Sequence, residues 1–485
     1  MHDLAHYAVV VLLFALALLA AIGSQRLAQL LRIPAPALFL IVAAAASDLV
    51  PSLGALTVVT NQRIVTVALV MILLDGGMHI GLGRIRRNVG AVAWLGIAGT
   101  LVTSAALAVG AHLIFGFDWR SALLVSAALA PTDPAVVFSV LGRREVSGRS
   151  GTLLEGESGA NDPVGIAVMV SLLGAAGGGW SAVGSGVGQF ALQLAVGTVT
   201  GLAGGWLLRL LMRRVTLPSD ALYPVQTVAF ALALYGATTA VEGSGYLAVF
   251  LAGIVVGDVR APFKREIERF SGALAGLAEI VAFVVLGLSV DLGAIVSSGD
   301  LWAGLGLAAL LIVVVRPLFV GAVLLPVRLT RGERAFVLFS GLKGAVPILL
   351  GTYVLAERAA HAERIYDVIF VVVLVSVVVQ GGLVPTVARR ARVPMRETRP
   401  APFASGMRFE DEPRGQRRFT VAPGSPAAGS TVAAIGVGDG FWISMISRSG
   451  ALVQVRGTTV LEPGDEVLAL VDAHDADAVE RVFRG

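Results

Sequence analysis

Residues 157–163 read Glu157-Ser158-Gly159-Ala160-Asn161-Asp162-Pro163, and they sit inside an apolar stretch that runs from about 153 to 176. If that stretch is a membrane helix, two carboxylates lie at bilayer depth. Each costs about 2.5–3.5 kcal/mol on insertion scales. A chain keeps such a group where it pairs with a countercharge, binds an ion or carries a proton. Reading this segment therefore decides both the fold and the use of its acids.

The rest of the chain supports a membrane reading. Its 485 residues are 56% hydrophobic and only 14% charged, the composition of a polytopic membrane protein. There is no cysteine, so a disulfide framework and a thiolate metal site are both excluded. The net charge of +4 is spread through short loops, which argues against nucleic acid as a partner. Asp3, His2 and His6 precede the first apolar run without Lys or Arg. That run is expected to be a first transmembrane helix with its N-terminus outside, not a signal peptide.

Thirteen spans are expected, at about 5–22, 34–48, 62–78, 88–116, 121–142, 153–176, 186–212, 221–239, 244–257, 270–290, 300–326, 335–356 and 364–388. Basic residues alternate from loop to loop. One set holds Arg84 and Arg86, Arg143 and Arg144, Arg213 and Arg214, Arg260 and Lys264, and Arg328 and Arg331; the other holds Arg63, Arg120, Arg358 and Arg364. The richer set belongs in the cytoplasm, and an odd span count puts the C-terminus there too. Residues 1–392 thus form the membrane domain and the Pro- and charge-rich 393–416 a linker. Residues 417–485 form a small soluble domain with strands at 441–446 and 466–471, turns at Gly438-Asp439-Gly440 and Pro463-Gly464-Asp465, and a closing helix over 475–483.

Two spans are interrupted. The fifth contains Pro131-Thr132-Asp133-Pro134, and the twelfth contains Gly341-Leu342-Lys343-Gly344-Ala345-Val346-Pro347. Lipid cannot repair broken backbone hydrogen bonds, so such breaks belong where they line a cavity. Seven spans separate them, which gives the two opposite orientations. Paired interrupted helices in inverted halves point to a secondary transporter's binding site. Asp133, Asp162, Arg316 and Lys343 each fall ~8–10 residues, or ~12–15 Å, from a cytoplasmic end. Ser158 and Asp162 share one helix face, as do Glu157 and Asn161. Asp162 can combine with a hydroxyl and with carbonyls freed near Thr132, an oxygen cage suited to a hard monovalent cation. Burial disfavours a carboxylate's charged form, so the same group can hold a proton.

These motifs, with Arg316-Pro317 and Gly464-Asp465, resemble the NhaP-type monovalent cation:proton antiporters of the first cation/proton antiporter family. The match is to the potassium/proton subgroup that carries a C-terminal TrkA-C (RCK-C) domain. The resemblance covers nearly the whole chain. It implies an all-α membrane domain of inverted repeats with crossed broken helices, plus a small cytoplasmic α+β domain. It implies Asp162 as the shared proton and cation site, with Thr132, Ser158 and Glu157 beside the cation. Asn161 stands where electrogenic relatives have a second aspartate, so exchange is expected to be electroneutral. Glu157 is implied as the partner of Arg316, and Asp133 and Lys343 as braces. Lys343 departs from the family's usual Arg. The resemblance further implies a homodimer in the cell's inner or plasma membrane, a small cytoplasmic ligand at 417–485, and no cofactor. Potassium is favoured over sodium because of the TrkA-C-like tail.

Other readings are weaker. RCK-type tails also regulate potassium channels, but a channel filter such as TVGYG is absent. Gly156-Glu157-Ser158-Gly159 fits the GxSG of intramembrane serine proteases, yet all six histidines lie at or beyond span ends. Gly436-Val437-Gly438-Asp439 fits the GxGD of intramembrane aspartyl proteases, but it lies in the soluble tail. An enzyme is not expected. Asp75, near the cytoplasmic end of the third span, reads equally as an entrance carboxylate or as helix-end solvation.

Overall fold

A computed structural model describes residues 34–50, 57–86, 88–141, 144–146, 149–174, 180–259, 261, 263–397, 416–435, 441–471 and 476–484, with Leu19 and Gly23. The expected span 5–22, the Gly438-Asp439-Gly440 turn and most of the linker lie outside these residues. The chain divides into two compact units, Met1–Thr398 and Arg399–Gly485.

The first unit is helical. Its opening elements are α1 (Ala35–Leu49), α2 (Val58–Ile85), α3 (Val89–Phe115), α4 (Trp119–Leu129), α5 (Pro134–Leu141), β1 (Arg144–Val146) and α6 (Arg149–Gly174). There follow α7 (Trp180–Arg214), α8 (Leu222–Ala240), α9 (Gly245–Gly257), α10 (Lys264–Leu288), α11 (Leu292–Ser298) and α12 (Asp300–Val323). It closes with α13 (Arg331–Phe339), α14 (Ala345–Ala356), α15 (Ala362–Arg390) and β2 (Met395–Glu397). Each expected span from 34–48 onward coincides with one of these helices or, at the two interruptions, with a pair of half-helices. Among the described residues, six helices (α2, α3, α7, α10, α12 and α15) are long and apolar enough to cross a membrane. Helix α6 has the length, but its polar residues keep it outside that set.

Local chemistry sets the helix ends. The Asp118 carboxylate accepts hydrogen bonds from the Arg120 and Ser121 amides and starts α4. Thr330 and Glu333 form a reciprocal capping box at the start of α13. Helices α2 and α9 approach closely because glycines repeat at four-residue spacing on both: a Cβ on Gly253 would meet the Leu74 carbonyl at 2.7 Å, and one on Gly257 would come within 2.7 Å of the Gly81 Cα. Gly81 also takes φ +64°, a kink that a bulkier residue would strain.

The strand β2 pairs antiparallel with β1, Val146 opposite Met395. The first residues of the expected linker therefore lie against the membrane unit.

The second unit is an antiparallel sheet of β3 (Gln416–Thr420), β4 (Phe441–Arg448), β5 (Ala451–Val453) and β6 (Glu466–Val471), ordered β3-β6-β4-β5, followed by α16 (Ala476–Arg484). Phe419, Ile446, Val467, Val471, Val479 and Phe483 close its core. The strands at 441–446 and 466–471 and the final helix match the sequence reading, whereas β3 and β5 were not foreseen. The turn at Gly464 (φ +92°) is tied down by Asp465. The Asp465 carboxylate accepts bonds from Arg448 Nε and Nη2 at 2.8 and 2.9 Å and from the Glu462 amide at 2.9 Å.

Candidate functional site

The two interruptions meet. Helix α4 ends before Pro131 and α5 begins at Pro134; α13 ends at Phe339 and α14 begins at Ala345. The Asp133 amide donates to the Leu342 carbonyl at 2.8 Å, so the extended breaks cross and repair one of each other's lost hydrogen bonds.

Charge completes the repair. Lys343, fully buried, donates through Nζ to the carbonyls of Ala130 and Pro131 at 3.0 and 2.9 Å, at the C-terminal end of α4. A cation there answers the negative pole of the half-helix. Asp133 lies at the opposite kind of end. A Cβ on Gly344, the N-cap just before α14, would overlap the Asp133 carboxylate. Arg316 serves α13 as Lys343 serves α4, since its Nε donates to the Leu338 carbonyl at 2.9 Å in the last turn of that helix. Its Nη2 also pairs with Glu157 Oε1 at 3.2 Å. Gly341 is required beside it, because a Cβ there would overlap the guanidinium.

The segment 157–163 faces this crossing. Asn161 is spent on Thr132: its Nδ2 donates to Thr132 Oγ1 at 2.7 Å, and its Oδ1 accepts from the Thr132 amide at 3.2 Å. The Ser158 hydroxyl donates to the Thr132 carbonyl. The two hydroxyls and the carbonyl expected around the cation are thus held in one fixed network. Asp162 is buried, and its Oδ1 makes no hydrogen bond to any described residue; Glu157 Oε2 is in the same state. The charges that act on Asp162 are Asp133 and Lys343, one from each break. All eight residues singled out from the sequence therefore gather here. Seven are buried and Asp133 is partly so. Asp75 lies apart, with Oδ2 3.2 Å from His79 Nδ1.

Two contributors were missed. Ser376 Oγ accepts from the Lys343 amide at 3.0 Å and donates to Gln380 Oε1 at 2.8 Å, while the Gln380 amide donates to the Phe339 carbonyl. They brace the second break from α15. The local winding widens to a π-helix over Ser376–Gln380, over Leu311–Val320 around Arg316, and over Leu95–Gly99, where Gly96 packs on Ala160. Widened turns leave carbonyls and side chains free to serve a site. The only advance sign was a Ser and a Gln inside a Val-rich span.

Crossed broken helices with a buried carboxylate at the crossing are the build of a secondary transporter. The transmembrane sodium/hydrogen exchanger family model matches residues 13–390 and the TrkA-C domain model matches residues 417–484. The chain belongs to the sodium/hydrogen exchanger family, and it is a multi-pass membrane protein. It is 31% identical over 430 residues to the K(+)/H(+) antiporter NhaP2 of Shewanella sp. (strain MR-4), covering 87% of this chain and 74% of that one. It is 34% identical over 386 residues to the K(+)/H(+) antiporter NhaP of Alkalimonas amylolytica, covering 79% and 66%. In fold it is similar to the sodium proton antiporter MjNhaP1 from Methanocaldococcus jannaschii, with a TM-score of 0.67 at 21% identity over 79% of this chain and 99% of that one.

Proposed function

We propose that this chain exchanges one monovalent cation, potassium in preference to sodium, for one proton, and that both use Asp162. One observation carries the reading. In a site where Asn161, Thr132, Ser158 and Lys343 are hydrogen-bonded to protein, Asp162 keeps a buried oxygen without a partner among the described residues. A carboxylate held that way accepts a proton or a partly dehydrated cation, and the two compete. Glu157, Thr132 and Ser158 complete the oxygen shell, while Asp133, Asn161, Arg316 and Lys343 hold it open. Asn161 cannot titrate, so one positive charge crosses in each direction and exchange is electroneutral.

Potassium is preferred on two grounds: relatives at 31–34% identity bear the name of K(+)/H(+) antiporters, and the C-terminal unit is of the TrkA-C type. The loop charges support an N-terminus outside the cell membrane and the C-terminal unit in the cytoplasm. There, residues 417–485 act as a regulatory module for a small ligand, in a homodimer, joined to the exchanger of residues 1–392 by the linker 393–416.

The test is proton flux in proteoliposomes driven by K⁺, Na⁺ or Li⁺, with a protonophore and valinomycin as controls. The reading expects K⁺ to drive the fastest flux, at an initial rate that an imposed membrane potential leaves nearly unchanged. A steep dependence on potential contradicts one-for-one exchange.

A further inference from the structure

Among the acids that the exchange site leaves unused is Glu279, half-buried. Glu279 lies in α10, and its Oε1 is buried with no hydrogen bond to any described residue. The charged group that acts on it is another carboxylate, Asp133 of the first break. A carboxylate with a buried, unbonded oxygen and a like charge acting on it calls for a cation or a proton.

Its position says which. Helices α2 and α10 run antiparallel: Asn61, near the start of α2, donates to Ser289 Oγ at the end of α10 at 2.6 Å, and the Gly272 Cβ position lies 3.6 Å from Asp75 Oδ1. Gly272 and Glu279 are seven residues apart and share a face of α10, with a drift of only ~20°. Glu279 thus lies on the face turned to α2, about 10 Å further along the axis than Asp75. Asn61, Ala68 and Asp75 form the matching row on α2. Asn61 Oδ1 and Asp75 Oδ1 are likewise buried without a hydrogen bond to a described residue. At the Asn61 end the row opens into a cavity of about 590 Å³ lined by Ser47, Asp48, Asn61, Ser289, Asp291 and Thr352. In the proposed topology that cavity is external and Asp75 is on the cytoplasmic half.

We propose that Glu279 is a relay site for the transported monovalent cation on the outer half of its path, between the cavity at Asn61 and Ser289 and the exchange carboxylate Asp162. The chemistry is that of the whole row: hard oxygen donors, a carboxylate midway along it, and small residues (Ala68, Gly272) in register with the acids. The inference rests on the reading of Asp162 as the exchange site.

Oriented proteoliposomes test it, with K⁺ supplied from one side at a time. Glu279→Gln should raise the half-saturating K⁺ concentration on the external side about fivefold or more, and on the cytoplasmic side less than about twofold. Glu279→Asp, which keeps the charge on a shorter side chain, should raise the external value alone and by less than Glu279→Gln does. Equal changes on both sides, or none, overturn the relay, as does loss of flux at every K⁺ concentration from a correctly inserted variant. Should Glu279→Gln fail to insert, Glu279→Asp carries the test: its shorter reach should raise the external value alone, and an unchanged value overturns the proposal. Asp162→Asn in the same assay separates the two ideas. Flux that persists there sinks the exchange-site reading. A silent Asp162→Asn beside an unaffected Glu279→Gln sinks the relay alone.

Discussion

Asp162 and Asp465 are both buried aspartates, one in each unit, and the chain treats them in opposite ways. Asp465 is saturated: a guanidinium grips both oxygens and a backbone amide adds a third bond. Asp162 keeps an oxygen that makes no hydrogen bond to any described residue, and Lys343, a positive charge acting on it, is committed to two carbonyls. Asp465 shows that this chain can satisfy a buried carboxylate completely where only structure is at stake. The unbonded oxygen at Asp162 is therefore a property of that site, and it is what the proposed exchange of ions at Asp162 requires.

The widest gap between the two should appear in transport. Asp162→Asn removes a buried charge without changing shape, so it should insert and fold normally yet lower cation-driven proton flux by at least ~100-fold, a loss of ~2.7 kcal/mol or more in transition-state terms. Asp465→Asn should leave flux at saturating K⁺ within about twofold. If both variants transport, the contrast is empty.

Stability should sharpen it next. Glu157 and Arg316 are a buried pair, and removing one partner of such a pair costs ~3–5 kcal/mol. Arg316→Ala and Glu157→Ala should each lower the membrane unit's melting temperature strongly, and the double variant should lose less than the sum. Strict additivity would count against the pair.

A smaller effect belongs to Asp465. Its bond to Arg448 holds the carboxyl below the usual carboxylate range. A depressed folded value contributes stability that is fully present above the unfolded value of about 4 and is lost as pH falls through the folded value. Asp465→Asn should lower the melting temperature of the C-terminal unit by several degrees at pH 7 and flatten its acid limb. An unchanged acid limb would mean that the pair contributes nothing.

The smallest change should come from cutting the chain. Because β2 pairs with β1, the cut belongs after Thr398 and not after Arg392. That protein should exchange ions at maximal pH drive but respond differently to pH or to a cytoplasmic ligand. An unaltered profile argues against a sensing role.

Much of this was legible in the sequence. Pro131, Pro134, Gly341 and Gly344 announce breaks because no other residues interrupt a helix in lipid so cheaply, and Asp162 stands out against an apolar run. Glu279 did not stand out, since no Pro or Gly flanks it and its meaning depends on the register of α10 against α2. Ser376 and Gln380 were hidden for a similar reason: a widened helical turn has no sequence signature of its own. Strand β5 is three residues long, and β3 follows a Pro- and Arg-rich stretch with few apolar positions of its own, so neither offered a clear alternation. Glu157 was expected near the cation and beside Arg316, and the structure places it on Arg316 with one oxygen left over.

The account stands on one carboxylate serving two ions, and calorimetry of K⁺ binding reads that directly. Titrations of the purified protein in buffers of different ionisation enthalpy, near the pH at which Asp162 is half protonated, count the protons released per cation bound. The account predicts release of a substantial fraction of a proton, approaching one as pH is lowered, and none in Asp162→Asn. Potassium binding without proton release, or release that survives in Asp162→Asn, would contradict it.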